Sequence, residues 1–186
     1  MSAMAAGLLV IDVQNDYFPG GRMEVPGSLA AAARTADLLR AFRGRGRPVL
    51  HLQHLSTRPG ATFLLPGTPG AEIHPLAAPA AGETVLQKRH PNGFRETGLR
   101  EALSAGGVDR LVVCGMMTQM CVDATTRAAF DLGFRCEVAA DACAARGVSF
   151  GGRAVAAEDV HAAFLAALGA AYAKIATAAE LAAALR

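Results

Sequence analysis

The chain predicts an α/β fold, a parallel sheet covered by helices on both faces, and three observations carry that prediction. Apolar strand-like runs alternate with helical patterns along the whole sequence. The runs are continuous in their hydrophobicity, as strands buried on both faces must be. Glycine and proline punctuate the joins. Right-handed crossovers then bring the C-terminal ends of the strands to one rim, where such sheets bind ligands near a topological switch point.

Each element has its own signal. Gly7 to Val13 (GLLVIDV) reads as a buried strand with Asp12 at its end, and Gln14 to Asp16 with Pro19-Gly20-Gly21 marks a loop. Ser28 is placed to cap a helix in which Leu29, Ala32, Ala36, Leu39 and Phe42 form one apolar stripe. Pro48 to Gln53 is a second strand, closed by His54, and Ser56 to Ala81 is a long Pro- and Gly-rich loop of the kind that forms a lid or binding wall. Phe63, Leu64 and Leu65 in it are pocket or subunit-contact residues, or else a satellite core. Thr84 to Gln87 is a third strand with Lys88 at its end, Arg89 to Phe94 a turn, and Thr97 to Ala105 a short helix. Leu111 to Cys114 is the central strand, and Met116 to Met120 a tight connection to a helix whose face is Val122, Thr125, Thr126, Ala129 and Leu132. Phe134 to Ala140 is a strand, followed by a loop holding Cys143 and Arg146, then a helix from Ala154 to Leu168 carrying Val155, His161 and Leu165. Tyr172 to Ala176 is the last strand, and Thr177 with Glu180 makes a capping box for a helix from Ala178 to Leu185.

Composition narrows the function. The 186 residues suit a single domain, 1–186, and with 52% hydrophobic and 18% charged residues disorder is not expected. A net charge of +2 gives no case for nucleic acid or an anionic membrane surface. No apolar stretch reaches spanning length, and no secretory leader is expected because the N-terminus lacks a basic region. Four cysteines without a C-x-x-C pair suggest neither a disulfide framework nor a zinc site, so a reducing cytoplasm fits. Of 18 basic residues only Lys88 and Lys174 are lysine, which raises the question of what an ammonium does there that a guanidinium does not.

Chemistry gathers at three positions. Cys121 follows a strand-to-helix turn, where a helix dipole and unpaired N–H groups favour the thiolate. A buried cysteine is more often a small hydrophobe, and Cys114 and Cys136 fit that description. Asp12 and Lys88 tip the balance for Cys121, because both also fall just after a strand and so share its rim. Such a group suffices for acyl transfer: Asp12 as general base, Lys88 supporting the anions, Cys121 attacking an amide-like carbonyl. The N–H groups of Met117 and Cys121 are positioned as the oxyanion hole.

LLVIDVQNDYFPGG, Lys88 within QKRHPNGF, GMMTQMCVDATTRAAFDLGF and DACAAR together resemble the isochorismatase-like cysteine hydrolases, over nearly the whole chain. The resemblance implies a Rossmann-like three-layer sandwich with a six-stranded parallel sheet, an Asp12–Lys88–Cys121 triad and a cis peptide before Met117. It also implies a homo-oligomer, dimer or tetramer, often completing the pocket between subunits. True isochorismatases, which cleave a vinyl ether, lack a cysteine nucleophile. Nicotinamidases carry an Asp-x-His metal motif after the second strand, where this chain reads His51-Leu52-Gln53-His54-Leu55-Ser56. No metal or other cofactor is therefore expected, although His54 and His74 remain candidates for an adventitious ion or the substrate. A small amide, lactam or carbamoyl compound is the implied substrate class, as in N-carbamoylsarcosine amidase-like and streptothricin hydrolase-like members. Gln14, Phe18, Phe63 and Phe94 are the expected pocket wall. The competing readings are a vinyl ether hydrolase, a redox protein with Cys143 resolving an oxidised Cys121, and an idle oligomeric scaffold. A sensor has no need of Asp12 and Lys88.

Overall fold

A computed structural model describes residues 5–185. In chain order the elements are β1 (Ala5–Ile11), α1 (Ser28–Arg43), β2 (Val49–His54), β3 (Thr84–Lys88), α2 (Leu99–Ala105), β4 (Val108–Met116), α3 (Asp123–Asp131), β5 (Arg135–Ala144), β6 (Val148–Phe150), β7 (Arg153–Val155), α4 (Ala157–Ala171), β8 (Ala173–Ala176) and α5 (Ala178–Ala183). Six of the strands form one parallel sheet in the order β3-β2-β1-β4-β5-β8. Strand order reverses between β1 and β4, which makes that join the switch point.

Continuous hydrophobicity in β1 serves two cores. Leu8 and Val10 face one layer with Leu38, Leu39 and Phe42 of α1 and Leu181 of α5. Leu9 and Ile11 face the other, with Leu103 of α2, Ala129 of α3 and Leu165 and Leu168 of α4. This is the expected three-layer sandwich. Among the described residues no helix is long and apolar enough to cross a membrane; the leader reading rests partly on residues 1–4, outside the described range.

Local differences have physical causes. Gly27, at φ 77, precedes α1, and Ser28 is its first residue, making no side-chain cap. The buried stripe of α1 is Ala31, Ala32, Thr35, Leu38, Leu39 and Phe42, and Leu29, out of phase with it, is exposed. β5 runs four residues beyond Ala140, because its pairing with β4 shifts register between Val113 and Gly115 and resumes at Gly115 beside Cys143. Asp141, expected in a loop, thereby lies in β5, and its Oδ1 accepts from the Ala178 N–H at 2.6 Å to hold the start of α5. The supposed loop after it contains the antiparallel β6–β7 hairpin, turning at Gly151-Gly152, so α4 begins at Ala157. β3 is largely exposed because it is a sheet edge.

Candidate active site

Three strand ends deliver the predicted residues. Asp12, just past β1, is fully buried and adopts φ 50, a left-handed conformation that aspartate tolerates. Lys88 closes β3 and is 1% exposed. Beyond β4, residues Thr118–Val122 form one π-helical turn before α3 and carry Cys121, which is 5% exposed. Gly115 permits this chain path: at φ +124, a Cβ there would run into the Ile11 backbone of β1.

Lys88 Nζ lies 2.7 Å from Asp12 Oδ2, 3.0 Å from His54 Nδ1 and 3.2 Å from the His90 carbonyl oxygen. An ammonium has three N–H bonds, and these are three acceptors for them. His54 must then accept at Nδ1 and carry its proton on Nε2. Burial, followed by the Lys88 charge, holds its proton affinity below the ordinary histidine value. Burial opposes the Lys88 charge too, but Asp12 and Cys121 outweigh it and raise its pKa. Lys88 is therefore charged.

The thiol behaves differently from the sequence expectation. Burial, then the Asp12 carboxylate, pushes the Cys121 pKa up, against the opposing pull of Lys88. At neutral pH the proton therefore stays on sulfur. The Asp12 carboxylate is buried within reach of the thiol and hydrogen-bonds with it. Donor atoms of Asp12, His54 and Cys121 lie within 4.8 Å of one another, a spacing a metal ion can use. Lys88 already supplies a positive charge there, and its side chain meets all three.

The Met116–Met117 peptide is cis, as the resemblance implies. The Met117 carbonyl accepts from the N–H groups of Met120 at 3.0 Å and Val122 at 3.3 Å, on either side of the Cys121 N–H. His161 of α4 meets the Thr118 hydroxyl at 2.9 Å and ties the start of the turn to the helix layer.

A cavity of about 460 Å³ opens over this cluster, with Cys121, His54, Met117 and Phe63 among its lining residues. Of the four expected wall residues only Phe63 lines it. Gln14 is fully buried and acts as a clamp: its amide accepts from the His54 N–H at 2.8 Å and donates to the carbonyls of His54 at 2.8 Å and Ala71 at 2.7 Å. Phe18 is buried against His74, ring centroids 3.7 Å apart, which also takes His74 out of the cavity wall. Phe94 packs on Phe134 at 6.1 Å in the second core. Sequence reasoning did not assign Tyr17, Arg58, Arg89, His90 or Met120 to the lining, and left His54 open. His54 had a signal: it ends β2 in register with Lys88, the same strand-end position that singled out the other residues.

The comparisons with known proteins agree with this architecture. Residues 6–180 match the family model of the Isochorismatase domain. The structure of an isochorismatase-family hydrolase from Oleispira antarctica superposes with a TM-score of 0.94 at 47% identity, covering 98% of each chain. A streptothricin hydrolase of Streptomyces noursei is 42% identical over 135 residues, 73% of this chain and 48% of that protein. The N-carbamoylsarcosine amidase of Thermoplasma acidophilum superposes with a TM-score of 0.80 at 26% identity, over 94% of this chain and 97% of that one. With a family model spanning almost all of its sheet and the Asp12, Lys88 and Cys121 strand ends, the chain belongs to the isochorismatase family of hydrolases.

Proposed function

We propose that this hydrolase cleaves the C–N bond of a small amide, lactam or carbamoyl compound through a thioester on Cys121. The observation that carries the reading is the meeting of a buried carboxylate, a buried ammonium and a thiol, from three separate strand ends, beneath one cavity. Because the resting sulfur is protonated, attack and proton transfer belong to one event: the Cys121 proton passes to Asp12 as sulfur bonds to the carbonyl carbon. The oxyanion forms against the N–H groups of Met117 and Cys121, each worth about 2.7–4 kcal/mol in such a role. Asp12 returns the proton to the departing nitrogen as the C–N bond breaks. Water, deprotonated by Asp12, then attacks the thioester, and the sulfur leaves to regain its proton. Lys88 stays charged throughout and offsets whichever neighbour is the anion.

The test is ammonia or amine release from a panel of small amides, lactams and carbamoyl compounds, with Cys121→Ala as the blank. Turnover should vanish in the blank, and acid-quenched wild-type protein should carry an acyl mass on the peptide containing Cys121. Turnover that survives Cys121→Ala would sink the reading.

Four free, buried cysteines among the described residues suit a reducing cytoplasm. Assembly into a dimer or tetramer is part of the same proposal, supported by the 88% exposed Phe150 on the β6–β7 hairpin. Sedimentation should give two or four times the chain mass of 19.1 kDa; a lone chain at micromolar concentration would refute it.

A further inference from the structure

The lining of the cavity is unbalanced in charge. Arg58, at the start of the long loop after β2, and Arg89, in the turn after β3, both line it, and no aspartate or glutamate does. Elsewhere on the surface Arg34, Arg43, Arg110, Arg127 and Arg135 each face a carboxylate within ion-pair distance. Among the described residues Arg58 and Arg89 have no such partner. His90 is paired with Glu96 at 3.1 Å, and Glu96 is not part of the lining. Deeper in, Asp12 and Lys88 cancel one another and the thiol is neutral, so nothing beneath offsets the two guanidiniums. The Arg58 charge reaches the floor, where it is among the influences lowering the proton affinity of His54.

We infer that the substrate is a small amide carrying a carboxylate, which Arg58 and Arg89 hold at the mouth while the amide carbonyl rests on Cys121. This rests on the amidase reading above and adds the tail to it. A guanidinium presents a planar fork that matches a carboxylate at two points. The remaining wall, Phe63, Met117, Met120 and Pro91, is apolar and suits the short carbon skeleton between the two polar ends. A cationic tail would meet repulsion from both arginines.

Succinamate, its methyl ester and 4-aminobutanamide present one primary amide with an anionic, neutral or cationic tail. In wild type kcat/KM should fall in that order, with an acid-to-ester ratio of about a hundredfold, each charged hydrogen-bonded contact contributing about tenfold. Arg58→Gln and Arg89→Gln should each cut that ratio about tenfold, mainly through KM for the acid. Calorimetric binding of succinamate to Cys121→Ala protein, with and without each arginine change, supplies a readout independent of turnover. Binding that weakens with either arginine change, without turnover in the intact enzyme, would keep the anion subsite and remove the amidase reading. A ratio near one, the absence of both turnover and binding, or displacement of succinamate by inorganic phosphate more readily than by succinate would each overturn the inference.

Discussion

Asp12 helps to raise the Cys121 pKa, and in the proposed reaction it is also the base that relieves it. Its two effects can be separated. Asparagine also tolerates the left-handed backbone, so Asp12→Asn removes the charge and leaves the chain path intact. Amide turnover should then fall by about 10²–10⁴, the usual worth of a positioned acid–base group. Alkylation of Cys121 by iodoacetamide should accelerate, since the repelling carboxylate is gone while Lys88 remains to favour the anion. Both rates measured on one sample decide the matter; a parallel loss would mean that Asp12 activates the resting thiol and would refute the order of events proposed here. Lys88→Met has the opposite character. It strands a fully buried carboxylate and should cost about 3–5 kcal/mol in urea unfolding. Lys88→Arg should not restore activity, because a planar guanidinium cannot address three acceptors grouped around a single nitrogen.

Between elements, Glu83 is the tie that sets the β3 edge. Its carboxylate accepts from Arg43 of α1 at 2.7 and 2.8 Å, His51 of β2 at 2.9 Å and the Ala80 N–H at 2.8 Å. Glu83→Ala should lower the stability measured in urea by about 2–3 kcal/mol, from the loss of charge-assisted bonds and an orphaned His51. It should also weaken activity, because β3 positions Lys88; a midpoint within about 0.5 kcal/mol of wild type would contradict this. Strands β1 and β4 were legible because each buries apolar side chains on both faces, and Asp12 and Cys121 because each follows such a strand; Lys88, at the end of the exposed edge strand β3, stood out as one of only two lysines. Gln14 was not legible as a clamp, since its partners His54 and Ala71 are brought to it only by tertiary folding. Arg58 and Arg89 sit in irregular backbone whose path no periodicity encodes. The β6–β7 hairpin did leave a mark, a Gly-Gly pair between Val148-Ser149-Phe150 and Arg153-Ala154-Val155, too short and too exposed to register as core.

On the scale of the whole molecule, the ionisable groups define a pH window. Burial works against the Glu83 carboxylate, but Arg43, the Ala80 N–H and His51 outweigh it and hold its pKa at about 2. Its stabilisation is complete above the ordinary value of 4.5 and is lost as pH falls toward 2. At the alkaline end, burial pushes up all four thiols, Cys114 and Cys136 to about 12. Above the ordinary thiol value of 9.0 the unfolded chain releases protons that the folded chain keeps, so stability must fall. Lys88 adds to the same limb, its raised pKa delaying its own loss until the pH passes that elevated value. Urea midpoints measured across pH should form a plateau that declines below about 4.5 and above about 9; a plateau continuing to pH 10.5 would contradict the thiol assignment. The burial of Lys88 has a practical corollary. Among the described residues, exposed Lys174 on β8 is the one side-chain amine that acylating reagents can reach. A fluorophore or a solid support can thus be attached to a single lysine side chain through ordinary amide-forming chemistry, leaving the buried Lys88 ammonium untouched.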